Sequence, residues 1–165
     1  DKSYALISTA AGVFRYVPPT TPQGAWDVTC LLVQPTSDIV ATDFDGDGKL
    51  EILTFSKFHG DTLAIWHEGQ TRDRYEQVWC DPQKRSFLHA LWAADLNGEK
   101  CAVIGNRKDG RDLLLVRYVD GEYTVDVIDH DLGPANCMVY RHDGSDYIVA
   151  AYRETDQLAL YKVVE

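Results

Sequence analysis

Residues 43 to 53, DFDGDGKLEIL, set carboxylates at alternate positions and then turn abruptly apolar. Counted from Asp43, the loop puts Asp45 at position three, Asp47 at five, Gly48 at six, the Lys49 carbonyl at seven and Glu51 at nine. Hard oxygen donors at alternate positions, with glycine permitting a sharp bend, are what a calcium ion needs to collect six or more oxygens. The predicted ligand set is therefore Asp43, Asp45, Asp47, the Lys49 carbonyl and Glu51, with calcium favoured over magnesium because the loop offers flexible, multi-carboxylate coordination. The competing reading is an acidic hairpin turn that holds no ion. An EF-hand is excluded: position twelve is Thr54 instead of a bidentate glutamate, and the flanks SDIVAT and EILTF alternate like strands. An ion held by five protein groups in a tight hairpin leaves little room for substrate and water, so its expected role is structural.

A second set of candidates is cationic. Lys57 in SKFHGD, Arg107 in NRKDGRD and Arg153 in YRETDQ occupy equivalent positions in an internal repeat, and three cations on one rim of an acidic protein could hold a carboxylate, a uronic acid or a phosphate. Each is followed closely by an acid, Asp61, Asp109 or Glu154, so local neutralisation is the alternative. Asp38, His89 and Asn136 fall near the starts of successive repeat strands, and Asn136 joins the cations as a candidate substrate contact. His89 is the candidate for catalysis, as a metal ligand or a general acid or base, since histidine changes charge near neutral pH. A hydrogen-bonded structural histidine at a strand start is the bland alternative. His59 lies on the same rim, two residues after Lys57, whereas His67, His130 and His142 fall in other turns and read as solvent-facing. No G-x-S-x-G elbow, phosphate-cradling glycine loop or zinc-protease motif is present.

The elements that must position these residues are strands. Helical periodicity is nearly absent, and short runs rich in Val, Ile, Leu, Tyr and Trp alternate with turns containing Gly, Asp, Pro and Asn. Three stretches superpose, with Asp43, Asp95 and Arg141 at one repeat position, 52 and 46 residues apart. Each unit reads as strand A up to the acidic turn, strand B after it, strand C ending near Trp66, Tyr118 or Tyr161, and a strand D such as YEQVWC or EYTVDVID. These aromatic residues, with Trp79, are expected in the core between units rather than on a sugar-stacking platform. Four strands per repeat of this length predict an all-β chain of β-propeller blades.

The N-terminal stretch supplies YALIST, GVFRYV and WDVTCLLV as strands B, C and D, giving a partial blade at about 3–35, blades at about 36–84 and 87–131, and a partial blade at about 134–165. Such a segment is an incomplete ring whose open edges invite association. Further blades are expected from another chain or segment, or from a second copy, and two copies would supply the strand number of a seven-bladed ring.

The acidic loop resembles the FG-GAP and VCBS repeat family of calcium-binding β-propellers, whose motif D-x-D-G-D-G-x-x-[DE]-[LI] joins the first two strands of a blade and is matched by Asp43, Asp45, Asp47, Glu51 and Ile52. The resemblance implies a structural calcium ion on the outer side of a blade. The corresponding loops DLNGEK and RHDGSD depart from the motif, the latter with Arg141 in place of the first ligand, and are expected to carry no metal. Two functions follow as expectations: a binding or scaffold module for carbohydrate or protein, or part of a carbohydrate-active enzyme, since some proteins with such repeats resemble polysaccharide lyases and aldos-2-ulose dehydratase.

Composition narrows the partners. Against 16 basic residues stand 26 acidic ones, for a formal net charge of −10, which disfavours a nucleic-acid partner that needs phosphate neutralised. No apolar run is long enough to span a membrane as a helix, and no intact signal peptide is visible. Cys30, Cys80, Cys101 and Cys137 lack metal-site spacing and are expected as buried free thiols, which points to a reducing compartment. The calcium-repeat resemblance points instead to a secreted protein, so localisation is left open.

Overall fold

Alternation of apolar and turn residues yields fourteen strands in the computed structural model, which describes residues 3–57 and 59–164. Sequence neighbours pair antiparallel into four separate sheets. The first holds β1 (Ala5–Thr9), β2 (Gly12–Val17) and β3 (Asp27–Leu32); the second holds β4 (Asp38–Thr42), β5 (Glu51–Ser56), β6 (Thr62–Glu68) and β7 (Tyr75–Cys80). The third holds β8 (Leu88–Leu96), β9 (Glu99–Asn106), β10 (Leu113–Val119) and β11 (Glu122–Asp129), and the fourth β12 (Pro134–His142), β13 (Ser145–Tyr152) and β14 (Gln157–Lys162). This is an all-β chain of antiparallel blades in an incomplete ring, two of four strands and two of three. One feature absent from the all-strand expectation is a 3₁₀ turn, Arg153–Thr155, between β13 and β14.

Successive side chains on a strand point to opposite faces, and the central strands bury both. On β5, Ile52 enters a core shared with Val13 and Leu31 of the first sheet, while Leu53 and Phe55 enter one shared with Ala102, Ile104 and Leu114 of the third. On β9 the same alternation sends Ala102 and Ile104 towards the second sheet, and Cys101 and Val103 towards Ile148, Ala150 and Tyr152 of the fourth. Each fully buried Leu, Ile or Phe contributes roughly 1.5–3 kcal/mol, so the strands are held by their neighbours on both sides. Trp66, Trp79, Tyr118 and Tyr161 pack against these cores, as their repeat positions suggest.

Polar ties reinforce the same junctions. Arg15 on β2 donates two parallel hydrogen bonds to Asp73 of the second sheet, at 2.5 and 2.9 Å. The Asn97 N–H donates to Asp146 across the third and fourth sheets at 2.9 Å, and the Tyr161 hydroxyl donates to Asp129 at 2.6 Å. Gly105 lets these two sheets approach closely, since a Cβ there would lie 2.4 Å from Pro134 Cγ.

The cysteines correct one expectation. All four are free thiols, but only Cys101 and Cys137 are buried, where desolvation pushes each thiol up to about 12. Cys30 is half-buried on β3 and Cys80 is exposed on β7, each the last strand of its sheet, whereas Cys137 lies on β12, which packs against the third sheet.

Candidate metal centre

The acidic loop connects β4 to β5 and is shaped by its own aspartates. Asp43 accepts hydrogen bonds from the N–H groups of Gly46 and Gly48 at 2.8 and 3.1 Å. Asp45 accepts from Asp47 N–H at 3.1 Å, and Asp47 from Lys49 N–H at 2.8 Å. Gly48 sits at φ +87°, a left-handed conformation that glycine adopts without strain. Chain reversal by this route aims the carboxylates of Asp45 and Asp47 at the start of β5, where Glu51 begins the strand.

Glu51 is fully buried, at 0% exposure. Its Oε2 accepts a 2.6 Å hydrogen bond from Phe44 N–H, while its Oε1 has no hydrogen-bond partner among the described residues. Burial pushes this carboxyl up to about 7, against the pull of the Phe44 N–H. The neighbouring strand supplies His67. Pairing of Ile52 with Trp66 sets the β5–β6 register, and Glu51 and His67 lie one step beyond that pair. His67 Nε2 lies 3.2 Å from Asp47 Oδ2 and 3.6 Å from Glu51 Oε1, and Nδ1 lies 2.8 Å from the Glu68 carbonyl. With a hydrogen on Nδ1 donated to that carbonyl, Nε2 either carries a proton donated to Asp47 or, in the neutral ring, turns its lone pair to the carboxylates. Against partial desolvation, the Glu68 carbonyl, Asp47 and Glu51 favour the protonated form and hold His67 above the ordinary histidine pKa.

Asp45, Asp47, Glu51 and His67 thus present four ligand atoms within 4.8 Å of one another, a group that could hold a metal ion. The buried, unpartnered Glu51 Oε1 fits that use, because an ionised oxygen without a partner is costly until a cation satisfies it. Of the predicted ligands, Asp45, Asp47 and Glu51 come together, Asp43 closes the loop by its two backbone hydrogen bonds, and Lys49 contributes an N–H to Asp47. His67 was expected to face solvent from a turn; it lies instead within β6, half-buried and directed into the cluster. His130 and His142 are exposed.

In the corresponding turns of the next sheets, side-chain cations meet the acids. Lys100 Nζ lies 2.7 Å from Asp95 Oδ2, and Arg141 lies 3.5 Å from Asp146. The cluster is also less enclosed than a tight hairpin suggests. Asp45, Asp47 and His67 form one wall of an open cleft of about 640 Å³, with Trp79, Tyr118 and Tyr123 on the other. The Tyr118 and Tyr123 rings are 4.8 Å apart, and Trp79 and Tyr123 are 6.0 Å apart.

The rim candidates gather at other loops. His59 stacks on Phe87 at 4.3 Å and faces His89 at 5.3 Å. His89 Nδ1 lies 2.8 Å from the Ala135 carbonyl, a structural hydrogen bond between sheets. Partial desolvation, then the charges of His89 and Arg107, hold His59 below the ordinary histidine pKa. The cavity beside these histidines is about 150 Å³, lined by Ser37, Asp38, Phe55, His59, Leu88 and His89. Arg107 lies over the Phe87 ring at 5.1 Å and forms an ion pair with Glu154, so its charge is already met. Lys57 and Arg153 are exposed, and the Asn136 side-chain oxygen accepts from its own neighbour, Cys137 N–H, at 2.9 Å.

Compared with protein-family models and with curated proteins, the chain gives no match.

Proposed function

We propose that this chain is a cation-clipped β-propeller segment acting as a binding and scaffold module, completed by further blades. The observation that carries the reading is the buried Glu51 Oε1, unpartnered and surrounded by Asp45, Asp47 and His67. A bound cation would tie the β4–β5 loop to β6 through these four side chains. The loop's resemblance to FG-GAP and VCBS repeats names calcium as the first ion to test, with magnesium second.

Binding is assigned to the cleft beside the cluster. Its volume of about 640 Å³ falls within the usual range for small-ligand sites, and Trp79, Tyr118 and Tyr123, although packed against the core, also line it with aromatic surface of the kind that binds sugars. Carbohydrate is therefore the proposed ligand class. The enzyme alternative, with His89 moving a proton and Lys57, Arg107 and Arg153 holding an anionic sugar, is weaker. Arg107 is spent on Glu154, and the cavity of about 150 Å³ at His89 is smaller than the pockets that enclose such ligands.

Thermal unfolding after chelation, and again after adding back divalent ions, tests the clip. An ion at one hundred times its Kd stabilises the folded state by about 2.7 kcal/mol, which for a domain of this size raises Tm by roughly 5–10 °C. Asp45→Ala is expected to abolish that rise. A wild-type Tm indifferent to chelation and to every added ion would remove the reading.

A further inference from the structure

The calcium motif and the observed cluster disagree at two positions. The first ligand of the motif, Asp43, accepts the Gly46 and Gly48 N–H groups with its two oxygens and stands outside the cluster, whereas an imidazole stands inside it. Calcium takes oxygen ligands, six to eight of them. Imidazole nitrogen suits iron, nickel, copper and zinc, and a mixed nitrogen and oxygen site ranks first-row divalent ions in the order manganese, iron, cobalt, nickel and copper, with zinc below copper.

The histidine is also held as a ligand is held. Hydrogen bonding of Nδ1 to the Glu68 carbonyl at 2.8 Å fixes the ring and its tautomer, as partners of metal-bound histidines do. That leaves Nε2 facing Asp47 Oδ2 at 3.2 Å and Glu51 Oε1 at 3.6 Å, a place filled by a proton in the imidazolium ring and open to a metal ion in the neutral one. In the neutral ring a lone pair faces two carboxylates, so the cluster holds either a proton on Nε2 or a metal ion that displaces it. The buried Glu51 oxygen points to the same place, and it has no hydrogen-bond partner to compensate it.

Resting on the cation-clip reading, we infer that Asp45, Asp47, Glu51 and His67 form a site for a first-row divalent transition ion, in preference to calcium. His67 Nε2 is the selective ligand, and the three carboxylates supply charge.

Titration calorimetry of the intact, chelator-treated chain with Mn²⁺, Co²⁺ and Ca²⁺ tests this, together with pulsed electron spin resonance of the Mn²⁺-loaded protein for coupling to an imidazole nitrogen. The expected result is Mn²⁺ and Co²⁺ at least tenfold tighter than Ca²⁺, with nitrogen coupling in the wild type. His67→Ala should lose that coupling and at least tenfold in Co²⁺ affinity while changing Ca²⁺ affinity by less than threefold; His130→Ala, at an exposed histidine, should behave as wild type. Calcium binding as tightly as cobalt and manganese, or manganese bound without nitrogen coupling, would overturn the inference and leave the clip standing. Binding of no divalent ion would overturn both. Should His67→Ala fail to fold, the affinity order and nitrogen coupling of the wild type decide the matter.

Discussion

Glu51 is the residue at which sequence, packing and chemistry conflict most. Its neighbours Ile52 and Leu53 draw the start of β5 into two cores, and the carboxylate is carried in with them. One oxygen gains the Phe44 N–H, the other only the 3.6 Å approach of His67, and above its raised pKa of about 7 the metal-free fold carries a buried charge. Removing that charge should therefore help the metal-free protein. In chelator at pH 8, Glu51→Gln is expected to raise unfolding stability by about 1–2 kcal/mol, since an amide keeps the Phe44 hydrogen bond and adds donors towards Asp45 and Asp47. The same variant should gain nothing from added divalent ions. Urea midpoints with and without ion give both numbers, and a destabilised variant in chelator would show that Glu51 is satisfied without a metal. Three of the four cluster residues were legible in the sequence because the carboxylates lie within one loop, nine residues long from Asp43 to Glu51. His67 was not, because its place depends on strand register. Only once Ile52 is known to face Trp66 does the next residue on each strand become a pair.

At the level of the elements, the repeat spacing carried the strands, and β5 and β9 fit it because short, mostly apolar runs bounded by turn residues suit strands buried on both faces. Side-chain ties between sheets were hidden, since their partners are distant in sequence. Arg15 and Asp73 are 58 residues apart, and nothing local to either announces the pair. Arg15 holds the Asp73 carboxyl below the ordinary aspartate range, first through the hydrogen bond. A lowered folded-state pKa means stability that is present above the unfolded pKa, near 3.9, and lost as pH falls through the folded one. Asp73→Asn should thus cost up to about 1 kcal/mol at pH 7, the pair being partly exposed, and the difference from wild type should shrink as pH falls below about 3.9 and through the folded-state pKa. Denaturant unfolding across that range reads it directly. A difference that does not shrink with acid would exclude the charge as its source, since asparagine takes the left-handed backbone of Asp73, at φ 61°, as readily as aspartate does.

Across the whole molecule, the interior junctions define what the outer faces lack. Between adjacent sheets the apolar alternation is buried, but the first and fourth sheets each turn a second apolar face outward. On the first, Ile7, Trp26 and Val28 are exposed, Trp26 by 54%; on the fourth, Met138, Leu158 and Leu160 are exposed, Leu158 by 75% and Leu160 by 58%. These residues lie on the opposite side of their sheets from Val13 and from Ile148 and Ala150, which enter the cores. The sheet boundaries also revise the ring arithmetic. Twice fourteen strands equals a seven-bladed count, yet the strands are already divided among four sheets, so two copies side by side present eight sheets. In such a pair a twofold axis would set the Leu158 and Leu160 face of each copy against the Ile7, Trp26 and Val28 face of the other, two equal contacts that bury both exposed surfaces. Leu160→Lys and Val28→Lys each place a charge at both contacts and are expected to shift the protein from dimer to monomer at micromolar concentration, with little effect on the interior cores. Light scattering on the wild type and on the two variants decides it. A wild-type chain that is monomeric throughout would exclude a second copy and leave the completing blades to another chain or segment.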